Sequence, residues 1–310
     1  MSFRLFTPRH GFGCAVAAFI VSSSFSQPVN PVVREGVTEK ISEHVYVIPD
    51  ASMPLVPNVG IIVGSRSTFV VDTGLGRKNG EAVLREVKQL SPTAELYLGT
   101  THFHPEHDLG AMAFPASTTL IRSADQVKDI TEFGLQLANT FSKRSPFIAD
   151  LLKDAEFRPA TVTFEREKTV DLGGVTVRLI AMGANHTRGD TVFLVEPDHV
   201  LFSGDVVMRP QPSFASPYST IRHWLESLEF LEGLHPAKLV PSHGPIGDTS
   251  LIADYRTYLT QVQTRTVELK KSGKSVDDCV QTVTAELQGT YRDQGRLAGA
   301  VRAAYSEASP

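Results

Sequence analysis

Four residues with metal-binding side chains, His102, His104, Glu106 and His107, fall within the run Thr-His-Phe-His-Pro-Glu-His that starts at Thr101, straight after the apolar segment 95–100. Imidazoles and a carboxylate at the end of a buried strand are costly to desolvate unless something binds them, and a divalent metal suits that donor set. Residues two apart on an extended segment point the same way, so His102 and His104 can grip one ion as a pair. Glu106 and His107 follow where the chain must turn, and can face a second ion. A histidine-rich surface loop is the bland alternative, and the rest of the chain weighs against it.

Four more candidates stand at the carboxyl ends of apolar, strand-like runs. Asp72 ends Thr-Phe-Val-Val-Asp from Thr68, and His186 follows the run from Val177. Asp205 ends Val-Leu-Phe-Ser-Gly-Asp from Val200, and His243 follows Ala-Lys-Leu-Val-Pro-Ser from Ala237. Each alone could begin a turn or sit on an exposed loop. Together they suggest ligands converging at one sheet edge, where open α/β sheets place their substrates.

These segments, Asp72-Thr-Gly, Thr101 to His107, His186-Thr-Arg-Gly-Asp, Phe-Ser-Gly-Asp205 and Ser-His243-Gly, resemble the five ordered motifs of the metallo-β-lactamase superfamily. The resemblance covers residues 33–244. It implies an α/β fold, an αββα sandwich of two mixed β-sheets flanked by helices. It assigns His102, His104 and His186 to a first Zn²⁺ and Glu106, His107 and His243 to a second, with Asp205 bridging. Asp72 falls where the family orients a ligand by hydrogen bond. The family usually carries Asp where this chain has Glu106, a side chain longer by about 1.5 Å. Two zinc ions per chain are expected, one being the alternative. His10, His44, His199, His223 and His235 match no motif.

The implied activity is that of an exported zinc metallohydrolase, whose metal-bound hydroxide attacks a carbonyl of a β-lactam, lactone, thioester or other ester. Glu106 and Asp205 are its catalytic carboxylates, Glu106 orienting the nucleophile and passing its proton. The loop 51–58 resembles a mobile flap, and the loop 208–219 could wall the pocket. Arg188 and Arg209 are candidates to meet a substrate carboxylate. A mononuclear iron dioxygenase of the same fold, using His102, His186 and Asp205, is an alternative, as is a non-catalytic periplasmic metal-binding protein.

Elements must position these groups. Strands are expected at 44–48, 59–63, 68–71, 119–122, 161–164, 175–182, 191–195 and 199–203, and helices at 81–90, 124–154, 220–234 and 251–271. Ser275 with Asp278 resembles a capping box opening a further helix. Strand hairpins alternating with helices in two successive halves suggest two sheets between helices. One domain is expected over 27–310, with a helical extension from about 247.

The chain has 310 residues, net charge −4, 41% hydrophobic and 21% charged content, an ordinary globular composition with no basic stripe for nucleic acid. Arg4, Arg9 and His10 precede the apolar stretch 11–21, and Ser24 and Ser26 precede a plausible cut before Gln27. This reads as a secretory signal over residues 1–26, giving a periplasmic or secreted protein with no membrane segment after its removal. Cys279 would then be the only cysteine, at an apolar helix position that suits a buried structural thiol.

Overall fold

The computed structural model describes residues 30–91, 95–208, 212–214, 216–291 and 294–308; the expected leader, with Arg4, Arg9, His10 and Cys14, lies outside them. The first sheet has seven strands in chain order: β1 (Glu39–Lys40), β2 (Val45–Ile48), β3 (Val59–Val63), β4 (Thr68–Val71), β5 (Leu96–Gly99), β6 (Thr119–Ser123) and β7 (Val162–Phe164). Strands β1 to β4 pair antiparallel, and β4 to β7 pair parallel. The second sheet has five: β8 (Glu167–Asp171), β9 (Thr176–Gly183), β10 (Asp190–Glu196), β11 (Val200–Gly204) and β12 (Lys238–Pro241). It is antiparallel except where β12 joins β11. Both sheets are therefore mixed.

Strands β3, β4 and β10 are buried along nearly their whole length because both of their faces are covered. Between the sheets, Val47, Ile62 and Phe69 of the first pack on Leu179, Phe193 and Phe202 of the second. The Phe69 and Phe193 ring centroids lie 5.7 Å apart. The outer face of the first sheet is covered by α1 (Gly76–Leu90), whose Ala82, Val83 and Val87 pack on Ile61, Val70 and Leu98. One helical turn, α2 (Pro105–Asp108), follows β5, and α3 (Ala124–Asp129), α4 (Leu135–Ser142) and α5 (Pro146–Leu151) follow β6. The outer face of the second sheet is covered by α6 (Ile221–Gly233), α7 (Ser250–Lys271), α8 (Val276–Leu287) and α9 (Gln294–Glu307). There Trp224, Tyr258, Leu259, Val283 and Val301 share one core with Val192, Leu194 and Leu201.

The expected hairpins form, and Ser275 and Asp278 make the capping box that opens α8. Cys279 is buried and free. Helix α1 starts earlier than apolar spacing indicates, because Leu75 has no side-chain cap and the first turn, Gly-Arg-Lys-Asn, carries no apolar signal. The stretch 124–154 is not one helix. It widens into a π turn at Ile130–Gly134, and Ser145 caps a new start at Pro146. Strand β8 has no apolar alternation to mark it in the sequence, since only Val170 along it is buried. Among the described residues, no helix is long and apolar enough to cross a membrane.

One close approach ties this framework to the segment carrying the histidines. A Cβ on Gly80 of α1 would sit 2.0 Å from the carbonyl oxygen of Gly110, just beyond α2. Gly80→Ala is expected to lower stability by about 1–3 kcal/mol in urea denaturation, the usual cost of overpacking against rigid backbone. An unchanged midpoint would show that the helix and the loop are not in contact.

Candidate metal centre

The expected ligands arrive from both sheets, each just past the carboxyl end of a strand. Asp72 follows β4, Thr101 to His107 follow β5, His186 follows β9, Asp205 follows β11 and His243 follows β12. Pro105 starts α2 directly after the extended His104, so His102 and His104 lie on extended chain while Glu106 and His107 project from a helical turn. Gly204 adopts φ +58°, and a Cβ there would stand 2.8 Å from the Thr101 side chain. Only glycine lets the chain turn there and deliver Asp205 beside the β5 loop.

Three groups of ligand atoms result: His102 with His104 and His186, His102 with His107 and Asp205, and Glu106 with His107 and His243. Within each, the atoms lie within 4.8 Å of one another. His186 Nε2 is 3.2 Å from His104 Nδ1 and 3.3 Å from Asp205 Oδ2. His102 Nε2 is 4.0 Å from the same Asp205 oxygen, while His243 Nε2 is 3.9 Å from the other, Oδ1. The Asp205 carboxylate thus turns one oxygen to each side of the cluster, the geometry a bridging ligand needs.

The donor set fits a divalent cation on evidence internal to the protein. His102 Nε2, Glu106 Oε2, His107 Nε2 and Asp205 Oδ1 are all buried with no hydrogen-bond partner. Four orphaned polar atoms facing one another are expensive without a cation between them. Burial lowers the proton affinity of His102, His104 and His186, favouring the neutral imidazoles that metals take. Burial works against an ionised Asp205 too, but the surrounding imidazoles outweigh it and hold its pKa at about 2. Burial raises that of Glu106. His107 differs: burial disfavours its charge, yet the Asp72 carboxylate pushes its pKa up to about 9.

The ring atoms turned away from the cluster are held by the protein. His107 Nδ1 lies 2.9 Å from Asp72 Oδ2, and that carboxylate also accepts from Thr101 N at 2.7 Å and Thr101 Oγ1 at 3.0 Å. Asp72 thus lies within hydrogen-bond reach of both the His107 ring and the Thr101 loop. His186 Nδ1 donates to the Ser213 carbonyl at 2.6 Å, and His243 Nδ1 to that of Val56 at 3.1 Å. Three further supports hold the loops that present these ligands. Asp190 accepts from His186 N at 2.6 Å and Thr187 Oγ1 at 2.5 Å, closing the loop that presents His186. Arg122 donates to both oxygens of Asp108, which also accepts from Thr100 Oγ1, beneath the β5 loop. Asn58 donates to the carbonyls of Pro241 and Gly244, fastening the loop 51–58 to the His243 turn.

A cavity of about 830 Å³ opens over the cluster, with His104, Glu106, His186, Asp205 and His243 in its lining. Both expected loops contribute to it, through Met53 and Leu55 and through Ser213, Ser216 and Pro217. Arg188 does not play the part expected of it. Its guanidinium lies 3.0 Å from Asp129 and 2.7 Å from Glu132 and rests over the Tyr218 ring, so it braces the His186 loop instead of lining the cavity. Arg209 lies outside the described residues.

Residues 53–243, more than half of the chain, match the metallo-beta-lactamase superfamily. The chain belongs to that superfamily. Its members typically bind divalent metals, in keeping with the His, Asp and Glu groups described above. Among solved structures it is similar to the sec-alkylsulfatase Pisa1 from Pseudomonas sp., with TM-score 0.68, 14% identity and coverage of 87% of this chain. The chain spans about half, 49%, of that alkylsulfatase's length. It is also similar to a metallo-beta-lactamase from Pontibacter korlensis, at TM-score 0.52 and 21% identity over 71% of this chain and 96% of that one. The DIM-1 metallo-beta-lactamase gives 0.53 and 20%, over 73% and 96%. At these identities the likeness is one of fold. No curated protein matches the sequence.

Asp72→Asn keeps the side-chain shape and removes the charge that holds His107. It is expected to weaken metal binding about 10- to 100-fold, the usual effect of losing a ligand's hydrogen-bond partner. Chelator competition on the folded variant measures it. Unaltered affinity would show that the Asp72–His107 contact is only structural.

Proposed function

We propose that the protein is an exported, zinc-dependent hydrolase that cleaves a carbonyl ester, lactone, thioester or β-lactam. The observation that carries this reading is the pair of oxygens of Asp205, one turned to His102 and His186 and the other to His243, in the lining of an open cavity. His102, His104 and His186 would hold one ion, Glu106, His107 and His243 a second, and Asp205 would touch both. Bound there, zinc supplies a Lewis acid and a water whose pKa falls to about 7.

The chain's own groups do the rest. Asp205, ionised among the imidazoles, fixes the spacing of the two ligand groups. Glu106 reaches the cluster despite its extra methylene, and a carboxylate placed there would orient the attacking water and take its proton. Burial raises the proton affinity of that carboxyl, which suits it to pass the proton on to the leaving group. The walls above, from Leu55 to Phe141, exclude bulk water and strengthen every electrostatic contact beneath them.

Glu106→Ala is expected to lower turnover and occupancy of the second ion together, read by elemental analysis and by hydrolysis of a panel of lactams, lactones, thioesters and esters. A sulfate ester belongs in that panel, because one structural neighbour is a sec-alkylsulfatase. Full activity with two ions retained would reject the role of Glu106. A single iron with oxygen uptake would instead select the dioxygenase chemistry available to His102, His186 and Asp205. Export predicts a mature chain beginning at Gln27 when the periplasmic or secreted protein is sequenced from its N-terminus. A cytoplasmic protein that keeps residues 1–26 would overturn it.

A further inference from the structure

The cavity over the ligand cluster carries chemistry that hydrolysis alone does not use. One wall is an apolar strip of Phe103, Phe133, Leu137 and Phe141. Leu135, beside this strip in the chain, is 65% exposed, the most solvated large hydrophobic among the described residues. Two guanidinium groups also line the cavity, Arg144 just after α4 and Arg296 in α9.

Arg144 has its Cζ 3.7 Å from the centroid of the Phe141 ring. That contact steadies a flat cation on the wall and leaves the donors at its edge available to an anion. Arg296 reaches Met208 Sδ at 3.4 Å from the far side of the chain. Both charges act on the cluster, Arg144 on His104 and Arg296 on His186. Carboxylates sharing the cavity are committed elsewhere. Asp50 accepts from Ser52 N and Gly244 N, and Asp129 pairs with Arg188. Glu106 and Asp205 belong to the ligand cluster. A cation after a helix C-terminus is favoured by the helix dipole anyway. That accounts for a charge near position 144, but not for its seat on an aromatic ring in the cavity wall.

We propose that the substrate is an amphiphilic anion, with an alkyl or acyl part lying on the Phe103–Phe141 strip and a negative group bound by Arg144. Arg296 lines the same cavity. This deepens the hydrolytic reading, and rests on it for taking the cavity as the substrate site. Each methylene buried on the strip strengthens binding about fourfold, so the apolar part sets affinity and the guanidinium sets orientation.

Calorimetric titration of the full, metal-bearing protein with octanoate, octan-1-ol and acetate tests this without requiring turnover. Octanoate is expected to bind about tenfold more tightly than octan-1-ol, one charge-assisted contact separating the two, and about a hundredfold or more beyond acetate, which lacks the chain that lies on the strip. Arg144→Gln should weaken octanoate about tenfold and leave octan-1-ol within about twofold. Leu137→Ala should weaken octanoate and octan-1-ol alike. Arg144 is exposed, so its replacement should leave the thermal midpoint unchanged and the comparison fair. Octanoate binding that ignores Arg144→Gln but disappears on chelation would assign the anion to the metal and overturn the proposal, as would acetate binding equal to octanoate. Hydrolysis of neutral esters without octanoate binding would leave the hydrolase standing and remove this inference. Octanoate binding by a protein that cleaves no ester would keep the anion site at Arg144 and overturn its assignment to a hydrolytic substrate.

Discussion

Seven ionisable side chains turn their ligand atoms toward one another where the two sheets meet, and the cost of burying them governs the surrounding architecture. An imidazole whose Nε2 faces other imidazoles needs its opposite edge held, or it swings away to find water. The protein supplies that hold each time from a different part of the chain: the Asp72 carboxylate for His107, the Ser213 carbonyl for His186, the Val56 carbonyl for His243. Loops that look like connectors are thus part of the ligand geometry. Asn58, Asp190 and the buried Asp108–Arg122 pair fix those loops in turn.

The sandwich makes such convergence possible. Ligands leave β4 and β5 of one sheet and β9, β11 and β12 of the other, and the sheets are registered by the aromatic and aliphatic layer around Phe69, Phe193 and Phe202. Ser242 Oγ reaches Asp72 Oδ2 at 3.3 Å, so the same carboxylate that orients His107 also joins the strand ends of both sheets. Packing and site geometry share this node.

Much of this was legible in the residues themselves. Paired histidines after an apolar run, and single Asp or His residues ending four further runs, pointed to one sheet edge, and the structure brings all seven expected ligand residues together there. Asp72 was legible by its place in a motif. What was not legible rests on backbone atoms or on contacts remote in sequence. A carbonyl such as Ser213 or Val56 has no residue type to betray it. Arg188 looked like a free cation because its partners, Asp129 and Glu132, come from a helix more than fifty residues earlier. Arg144 and Arg296 matched no motif, since their relevance lies in a wall assembled from separate helices. The early start of α1 and the solvated strand β8 lacked the apolar periodicity by which elements are read.

Arg296 belongs to α9, a stretch translated well after the segment 53–243 that matches the superfamily. A nascent chain that has just passed His243 already owns every candidate ligand, yet its cavity lacks a side. Helix α9 supplies Arg296 to the lining and, with α7 and α8, covers the outer face of the sheet that presents His186, Asp205 and His243, so the site depends on sequence well beyond its last ligand.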